Sequence, residues 1–583
     1  MIPKNKRKII VLSLLLFSLF MIMSSSYAVD MTLNPTNANS FKSDIENAAS
    51  GDNIILNSSG EEFSLNSANV NVDIGYNNIT IKSSSTSKNA IINLNNHGSG
   101  FKIGYYGQLT LINVTIKNGY GAETSKGGAI SNNGIVILEG CTFTDNKAIR
   151  GGAIYNEGNI IFTDCIFTNN KANSEGGGAI YDLGSITLTG CTFSKNIGNG
   201  NWAQGGAIYT HYKANLTKCI FTDNNAIDGG AITSRGALVL TNCTFSKNMA
   251  IPVKNSAACG GAINSGGVLT VNYCTFTDNK AMIGGAIYNE GILTCNDCIF
   301  INNIASLEGG AISNNQKSTA ILIRCIFSKN GAIPPKNAGA SGGAIYNVGK
   351  LTVNYCTFSD STATYGGAID NNNGKLTINT CTFTNNKAYN GGAIANWGSL
   401  TVTTCNFTKN TATNRGGAIH GGGSFTASTF SNNQAKRLGG AIYVDKYSKA
   451  LKIVKSTFKN NIVTSTKTYN AIYSKGAKIT KSKVKISPKE GTKVKSSTSN
   501  KAVLKITKVN KKGNSHFVFV KNSGKKTSSK TTLGVYIDKT LIKKVTVKSV
   551  AKGKTVKVKV AIPKIHKNKI KTFKVAKSSF NSK

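Results

Sequence analysis

Several things are scarce in this 583-residue chain, and each scarcity removes a class of explanation. No 11-residue window carries a helical hydrophobic period, which argues against a helical bundle or a layered α/β domain. Beyond Met23 no apolar run is long enough to span a bilayer as a helix. Acids are few, 25 Asp+Glu against 69 Lys+Arg. In the aligned columns described below they never fall on neighbouring units, whereas a calcium site or a catalytic carboxylate pair needs acids close together. There are five histidines: His97, His211, His420, His516 and His566. His211 and His420 fall in expected turn loops and read as solvated residues. Arginine stops at Arg437, so the basic C-terminal part relies on lysine, which suits loose attraction to polyanions more than bidentate recognition.

What the chain has in abundance is repetition. Gly-Gly-Ala-Ile occurs thirteen times, from Gly127-Gly128-Ala129-Ile130 to Gly439-Gly440-Ala441-Ile442, at spacings of 23 to 33 residues. A Cys-x-Phe keeps step with it, from Cys141-Thr142-Phe143 to Cys405-Asn406-Phe407. Five residues after each of these cysteines stands an Asn (Asn146, Asn170, Asn196 and onward to Asn410), with Ser361 the exception. Short β-branched stretches such as Ile135-Val136-Ile137-Leu138 and Leu351-Thr352-Val353 sit between Gly and Asn clusters, as strands do. About 24 residues with two or three strands is one coil of a parallel β-helix, and no coil can bury its inner face without neighbours.

Stacking at about 4.8 Å per coil turns each repeated residue into a column. The Phe column is expected inside, from Phe143 to Phe407, continued by Phe430 and Phe458 after Cys gives way to Ser428 and Ser456. The Asn column fits a ladder of amides at a tight turn. The paired glycines suit positive φ or a close backbone approach. The residue before each Asn reads Asp145, Asn169, Lys195, Asp223, Lys247, Asp278, Asn302, Lys329, Asp360, Asn385, Lys409, an outward column in which like charges avoid each other. Eleven of the thirteen cysteines form one column, where parallel Cβ vectors suit a disulfide poorly, so buried thiols are favoured. Cys259 and Cys295 are extra, and Cys295-Asn296-Asp297-Cys298 is a lone C-x-x-C without a second pair or a nearby His.

Residues 1–28 read as a secretory signal: Lys4, Lys6, Arg7 and Lys8, an apolar run from Ile9 to Met23, and Ser26-Tyr27-Ala28 as a cleavage site, an uncleaved anchor being the alternative. Residues 29–126 read as a cap and the first irregular coils, with a short amphipathic helix from Phe41 to Ser50 sealing the open end. Residues 127–475 are the repeat β-helix, 476–498 a lysine-rich linker, and 499–583 a basic sandwich. In that last part Ala502–Val509, His516–Val520, Thr531–Ile537, Leu541–Val547 and Thr555–Ile562 alternate like strands. Residues 30–445 carry 27 Lys+Arg and 23 Asp+Glu, a net of +4; residues 446–583 carry 38 Lys against Glu490 and Asp538, a net of +36. Export makes an anionic cell-wall polymer, acidic glycan or lipid surface a better partner for this basic part than nucleic acid.

Gly151-Gly152-Ala153-Ile154 followed by Phe167-Thr168-Asn169-Asn170 resembles the repeat of the chlamydial polymorphic outer-membrane proteins, adhesins with a β-helical passenger. The same repeat after a signal peptide is similar to the adhesin-like surface proteins of methanogenic archaea. The C-terminal part, around Val520-Lys521-Asn522-Ser523-Gly524 and Gly534-Val535-Tyr536-Ile537-Asp538, is similar to the Ig-like cell-adhesion-related domain. The chlamydial proteins end in a membrane barrel and this chain does not, so autotransport is not implied. The expectation is an all-β protein, a right-handed parallel β-helix followed by a small Ig-like β-sandwich. It would act as a non-catalytic adhesin-like rod at the cell envelope or outside the cell, binding envelope, host or neighbouring-cell glycans or proteins. Tyr155, Tyr181, Tyr209, Tyr288, Tyr346 and Trp397, just after the GGAI motif, are candidate contacts, with packing between coils as the competing reading. The alternative is a polysaccharide lyase or glycoside hydrolase with a loop-built site, but Glu157, Asp182, Asp228, Glu290, Glu308 and Asp370 are spread singly and no pectinase signature occurs. No catalytic, cofactor-binding or metal residue is singled out. Sequons such as Asn78-Ile79-Thr80, Asn215-Leu216-Thr217 and Asn406-Phe407-Thr408 permit glycosylation.

Overall fold

The computed structural model describes residues 28–582 except 59, 122–125, 254–255, 336–337, 449, 494–503, 513–514, 524–527, 529–530, 538–539, 562–570 and 576–577. The expected signal segment therefore lies, except for Ala28, outside the described residues. The chain divides into two units, residues 1–493 and 494–583.

The first unit is a right-handed parallel β-helix of about 17 turns. One coil shows how the sequence closes each turn. Ile130–Asn132 leads into Ile135–Glu139, then Thr142–Thr144, then Lys147–Arg150, before the next Gly-Gly pair. There are four short strands per coil, not two or three. The extra break comes from the residue before the ladder Asn, which takes positive φ (57° at Asp145, 55° at Lys195) and turns the chain by a corner. Equivalent strands form four parallel sheets, called here the GGAI face, the long-strand face, the Phe face and the ridge face. Pairing is in register, with Ile130 beside Ile154 and Phe143 beside Phe167.

The paired glycines serve two purposes. Gly284 has a φ of +64°, and a Cβ on Gly285 would stand 2.1 Å from the carbonyl oxygen of Gly310 on the next coil. The first permits the turn and the second lets coils approach.

Every Phe of the column is buried. From Phe143 to Phe458 successive rings lie 4.7–4.9 Å apart and within 6° of parallel. The Asn ladder is also present, but its positive φ sits one residue earlier. Asn170 Nδ2 donates to Asn196 Oδ1 at 3.0 Å and to the Phe143 carbonyl at 2.9 Å, while the Asn170 backbone N–H donates to the same Asn196 oxygen. Both amide hydrogens are thus used inside the wall. The ladder runs on through Asn433 and Asn461. The thirteen cysteines are free thiols, all buried except the half-buried Cys259. Cys295 and Cys298 face the interior with the rest of the core.

The N-terminal end is sealed by a 3-10 turn, Pro35–Asn39, and a helix, Phe41–Glu46, shorter than expected. Its Phe41 and Ile45 are buried, and Phe41 meets Phe63 at 5.7 Å. At the other end the segment read as linker is partly helix wall. Ile479–Ser482 pairs with Leu451–Val454, and Lys485–Ser487 with Thr457–Lys459, because Ile479 and Ile486 continue the inward positions of the two faces.

The second unit has two antiparallel sheets. One contains Leu504–Lys512, Ser515–Asn522 and Thr555–Ala561. The other contains Thr531–Ile537, Thr540–Val547, Lys571–Val575 and Ser578–Ser582. Val518, Val520, Leu533, Val535, Val547 and Val560 share one core between them, and Lys557 and Lys559 alternate outward. The last two strands were not expected from the sequence.

A groove along the GGAI face

The third residue of most GGAI-face strands points into the wall, and where it is Asn or Asp it forms a second ladder that the sequence reading missed. Asn132 Nδ2 donates to Asn156 at 2.6 Å and Asn156 to Asp182 at 2.6 Å; after a break at Ser234 and Ser265 a second run, Asn289, Asn314, Asn347, Asn371 and Asn396, repeats the pattern at 2.6–2.8 Å. The signal was present as Ile-x-Asn directly after Gly-Gly-Ala. Asp182 is therefore a buried wall residue, and burial raises its carboxyl above the usual range while Asn156 and Thr210 oppose that.

The second residue points outward, giving a floor of Tyr155, Tyr181, Tyr209, Thr233, Asn264, Tyr288, Ser313, Tyr346, Asp370, Ala395, His420 and Tyr443 in successive coils. On one side stands a ridge made by the residue just before each Gly-Gly pair, including Lys126, Arg150, Asp228, Cys259, Glu308, Ser341, Tyr365 and Arg415. Part of this ridge reaches its register through loops of unequal length, as at Asp228, Cys259 and Ser341. Burial pushes the Cys259 thiol up to about 12, with Asp228 and the two glutamates nearby adding to it.

All six candidate aromatics lie on this face. Tyr155, Tyr181 and Tyr209 stack on one another at 5.6 and 4.6 Å, and Tyr155 is fully buried. For these three the packing reading holds. Trp397 is 43% exposed. A separate exposed aromatic cluster, Tyr76, Tyr105 and Tyr106, has ring spacings of 6.2 Å and comes from turns with no repeat signature.

The acids are spread singly along the coils. Glu157 and Glu290 lie in the turn just after a GGAI-face strand, Asp228 and Glu308 on the ridge, and Asp370 in the floor, so five of them belong to this one face. Along much of it charge is neutralised locally: Lys102 pairs with Asp73 at 2.9 Å, Lys126 with Glu157 at 3.1 Å, Arg235 with Glu290 at 3.6 Å, and Arg150 with Glu175. A hydrogen bond from Tyr155 (2.6 Å), with Lys126 beside it, holds the Glu157 carboxyl below its ordinary value.

One stretch differs. Ser341, Tyr365, Asp370, Trp397, Arg415, His420 and Asp445 line a cleft of about 430 Å³. Asp370 and His420 are each 3% exposed. They occupy the same floor column two coils apart, with Ala395 between them. Oδ1 of Asp370, Nδ1 of His420 and Nε of Arg415 are buried without hydrogen-bond partners. Burial pushes the Asp370 carboxyl up to about 7, against a hydrogen bond from Ser341, and pushes His420 down to about 4. His420 is thus a buried strand residue and not a solvated loop residue; it packs 5.0 Å from Trp397 and 5.1 Å from Tyr443. His211 does lie in an exposed bend. Among the described residues no group of three or more His, Cys, Asp or Glu is arranged to hold a metal ion.

Comparison with known proteins follows this division of the chain. The model of the right-handed beta helix region matches residues 262–435, and the Chlamydia polymorphic membrane protein repeat matches 140–157, 164–182 and 427–445. The CARDB model, the Ig-like cell-adhesion-related domain, matches 498–581. No curated protein sequence matches. Among solved structures, tailspike protein 3 of bacteriophage CBA120 is similar at 9% identity and a TM-score of 0.29, over 79% of this chain and 59% of that one. A mannuronic acid specific polysaccharide family 6 lyase from human gut microbiota gives 8% and 0.27, over 74% and 87%. The Siphovirus 9NA tailspike receptor binding domain gives 9% and 0.14, over 90% and 89%. At these scores the likenesses carry no functional information. The first unit is a parallel β-helix with three segments that match the polymorphic membrane protein repeat, and the residues after it match the CARDB model.

Proposed function

We propose that this is an exported, adhesin-like surface protein that binds extended glycan chains along the GGAI-face groove without cleaving them. The observation that carries this reading is the groove itself. A column of aromatic and polar side chains runs along the coils between two polar walls, and it ends at a cleft with an exposed indole and unsatisfied hydrogen-bonding groups. Sugars are bound by such pairings of an aromatic face with convergent polar groups. The test is a glycan and cell-binding screen of the exported protein beside an assay for released sugar ends. Binding that weakens in Trp397→Ala, with no new ends, supports the reading. Absence of binding to every glycan and cell surface would refute it.

The basic C-terminal unit has a separate task in this proposal, holding the protein on an anionic wall polymer through its lysines. Removing residues 494–583 is expected to abolish salt-sensitive retention on purified envelopes, since exposed charges are screened within about 8–10 Å at 0.1–0.15 M salt. Retention that stays unchanged and indifferent to salt would count against it.

A cleaving enzyme has one observation in its favour: Asp370, His420 and Asp445 border the same cleft. A buried carboxyl with a raised pKa is a common general acid. Release of sugar ends that is lost in Asp370→Asn would establish that reading in place of the first.

A further inference from the structure

We infer that the cleft between Tyr365 and Asp445 is a subsite for an acidic sugar residue, its carboxylate held by Arg415 and its ring lying on Trp397. The inference rests on the glycan-binding reading and gives it a substrate class. The argument begins with unmatched charge. Elsewhere along the groove basic side chains are paired with carboxylates at 2.9–3.6 Å. Arg415 enters no ion pair among the described residues. Its guanidinium lies 5.0 Å over the Tyr443 ring, a contact that fixes the planar fork without using its hydrogen-bond donors. Its buried Nε has no acceptor. A fixed, half-buried guanidinium with free donors is built to receive a planar anion bidentately.

The remaining groups suit a sugar attached to that anion. Trp397 offers an exposed ring face on the opposite wall. Oδ1 of Asp370 and Nδ1 of His420, both deeply buried and unpartnered, can meet ring hydroxyls. A cleft of about 430 Å³ has room for a short run of sugar rings. Of the acids lining the cleft, Asp445 accepts hydrogen bonds from Tyr447 and Ser448 on its own turn. Asp370, protonated in part near neutrality, does not repel a carboxylate ligand as an ionised carboxylate would.

The experiment uses the full chain with Trp202→Phe, which leaves Trp397 as its single tryptophan and hence a reporter inside the cleft. A short oligogalacturonate and its methyl ester are titrated at 0.5 M salt, which suppresses capture by the lysine-rich unit. The free acid should alter Trp397 fluorescence at about tenfold lower concentration than the ester, or lower still. Arg415→Gln should remove that preference and Arg415→Lys should retain part of it, with circular dichroism confirming that both fold. Acid binding should also strengthen from pH 8 to pH 6 and lose that trend in Asp370→Asn. The charged or titratable groups around Asp370 are Glu308 and Tyr346 beside it and Tyr365, Arg415, His420 and Asp445 along the cleft. Equal response to acid and ester would overturn the inference and leave a neutral-glycan groove. An acid preference that survives Arg415→Gln would overturn it by placing the anion elsewhere. No response to either ligand, in a protein that still binds other glycans, would overturn the inference alone. No response in a protein that binds none would end both readings.

Discussion

Thirteen phenylalanine rings, each closely parallel to the next, fill one corner of the β-helix, and no ring can be removed without leaving its two neighbours facing a gap. Phe276→Ala is expected to lower unfolding free energy by about 3–5 kcal/mol in a denaturant titration, the range for deleting a buried aromatic. The amide ladder makes the opposite prediction at its one defect. At Ser361 the backbone N–H still donates to Asn386 Oδ1 at 3.1 Å, but the Ser361 hydroxyl turns back to Ser359. The amide of Asn330 therefore lacks its upward acceptor. Ser361→Asn rebuilds the missing rung in a wall that accepts Asn in the flanking coils, so it should stabilise the protein by about 0.5–1.5 kcal/mol. These columns were legible because Phe and Asn stand at constant offsets from Cys, and constant offsets become vertical neighbours when coils stack. The second ladder carried the same kind of signal, Ile-x-Asn, and was overlooked beside the more conspicuous tyrosine next to it.

At the scale of one coil, the corners decide the shape. Gly285→Ala would push a methyl into the Gly310 carbonyl of the next coil. The wall must shift locally, and a loss of about 1–3 kcal/mol should appear as a lower thermal midpoint. A fourth strand per coil was not legible, because the residue that takes positive φ varies among Asp, Asn and Lys and only its position repeats. The groove was illegible for a related reason. Its floor and its ridge both stand at fixed offsets from the GGAI motif, but the offsets alone do not show that the second strand residue faces outward with the residue before Gly-Gly rising beside it. Backbone pairing sets Ser341 beside Tyr365, and Asn390 between Tyr365 and Arg415, along one ridge. The C-terminal unit was read correctly where valine and lysine alternate, as in Thr555–Ala561.

At the scale of the whole β-helix, two buried groups in one cleft pull its pH dependence in opposite directions. Asp370 binds its proton more tightly in the folded state than in the unfolded chain. Its contribution is present at low pH and is lost as pH rises from about 4 to about 7. His420 binds its proton less tightly when folded, so its contribution grows as pH rises from about 4 to about 6.5. Compared with the parent protein, Asp370→Asn should give a stability curve that rises more steeply with pH in this window, and His420→Gln one that falls more steeply. Denaturation midpoints across pH 4–7 measure both differences. Variant curves parallel to the parent's would mean that neither group is shifted.

Successive coils follow one another directly along the chain, and the backbone bonds of each wall run along the stack. A protein tethered at its ends and pulled by a moving partner would therefore yield from a terminus, one coil after another. Each released repeat of 23 to 33 residues pays out roughly 75–120 Å of chain at 3.3–3.6 Å per residue. Such stepwise lengthening would absorb a sudden load and leave the coils behind it intact.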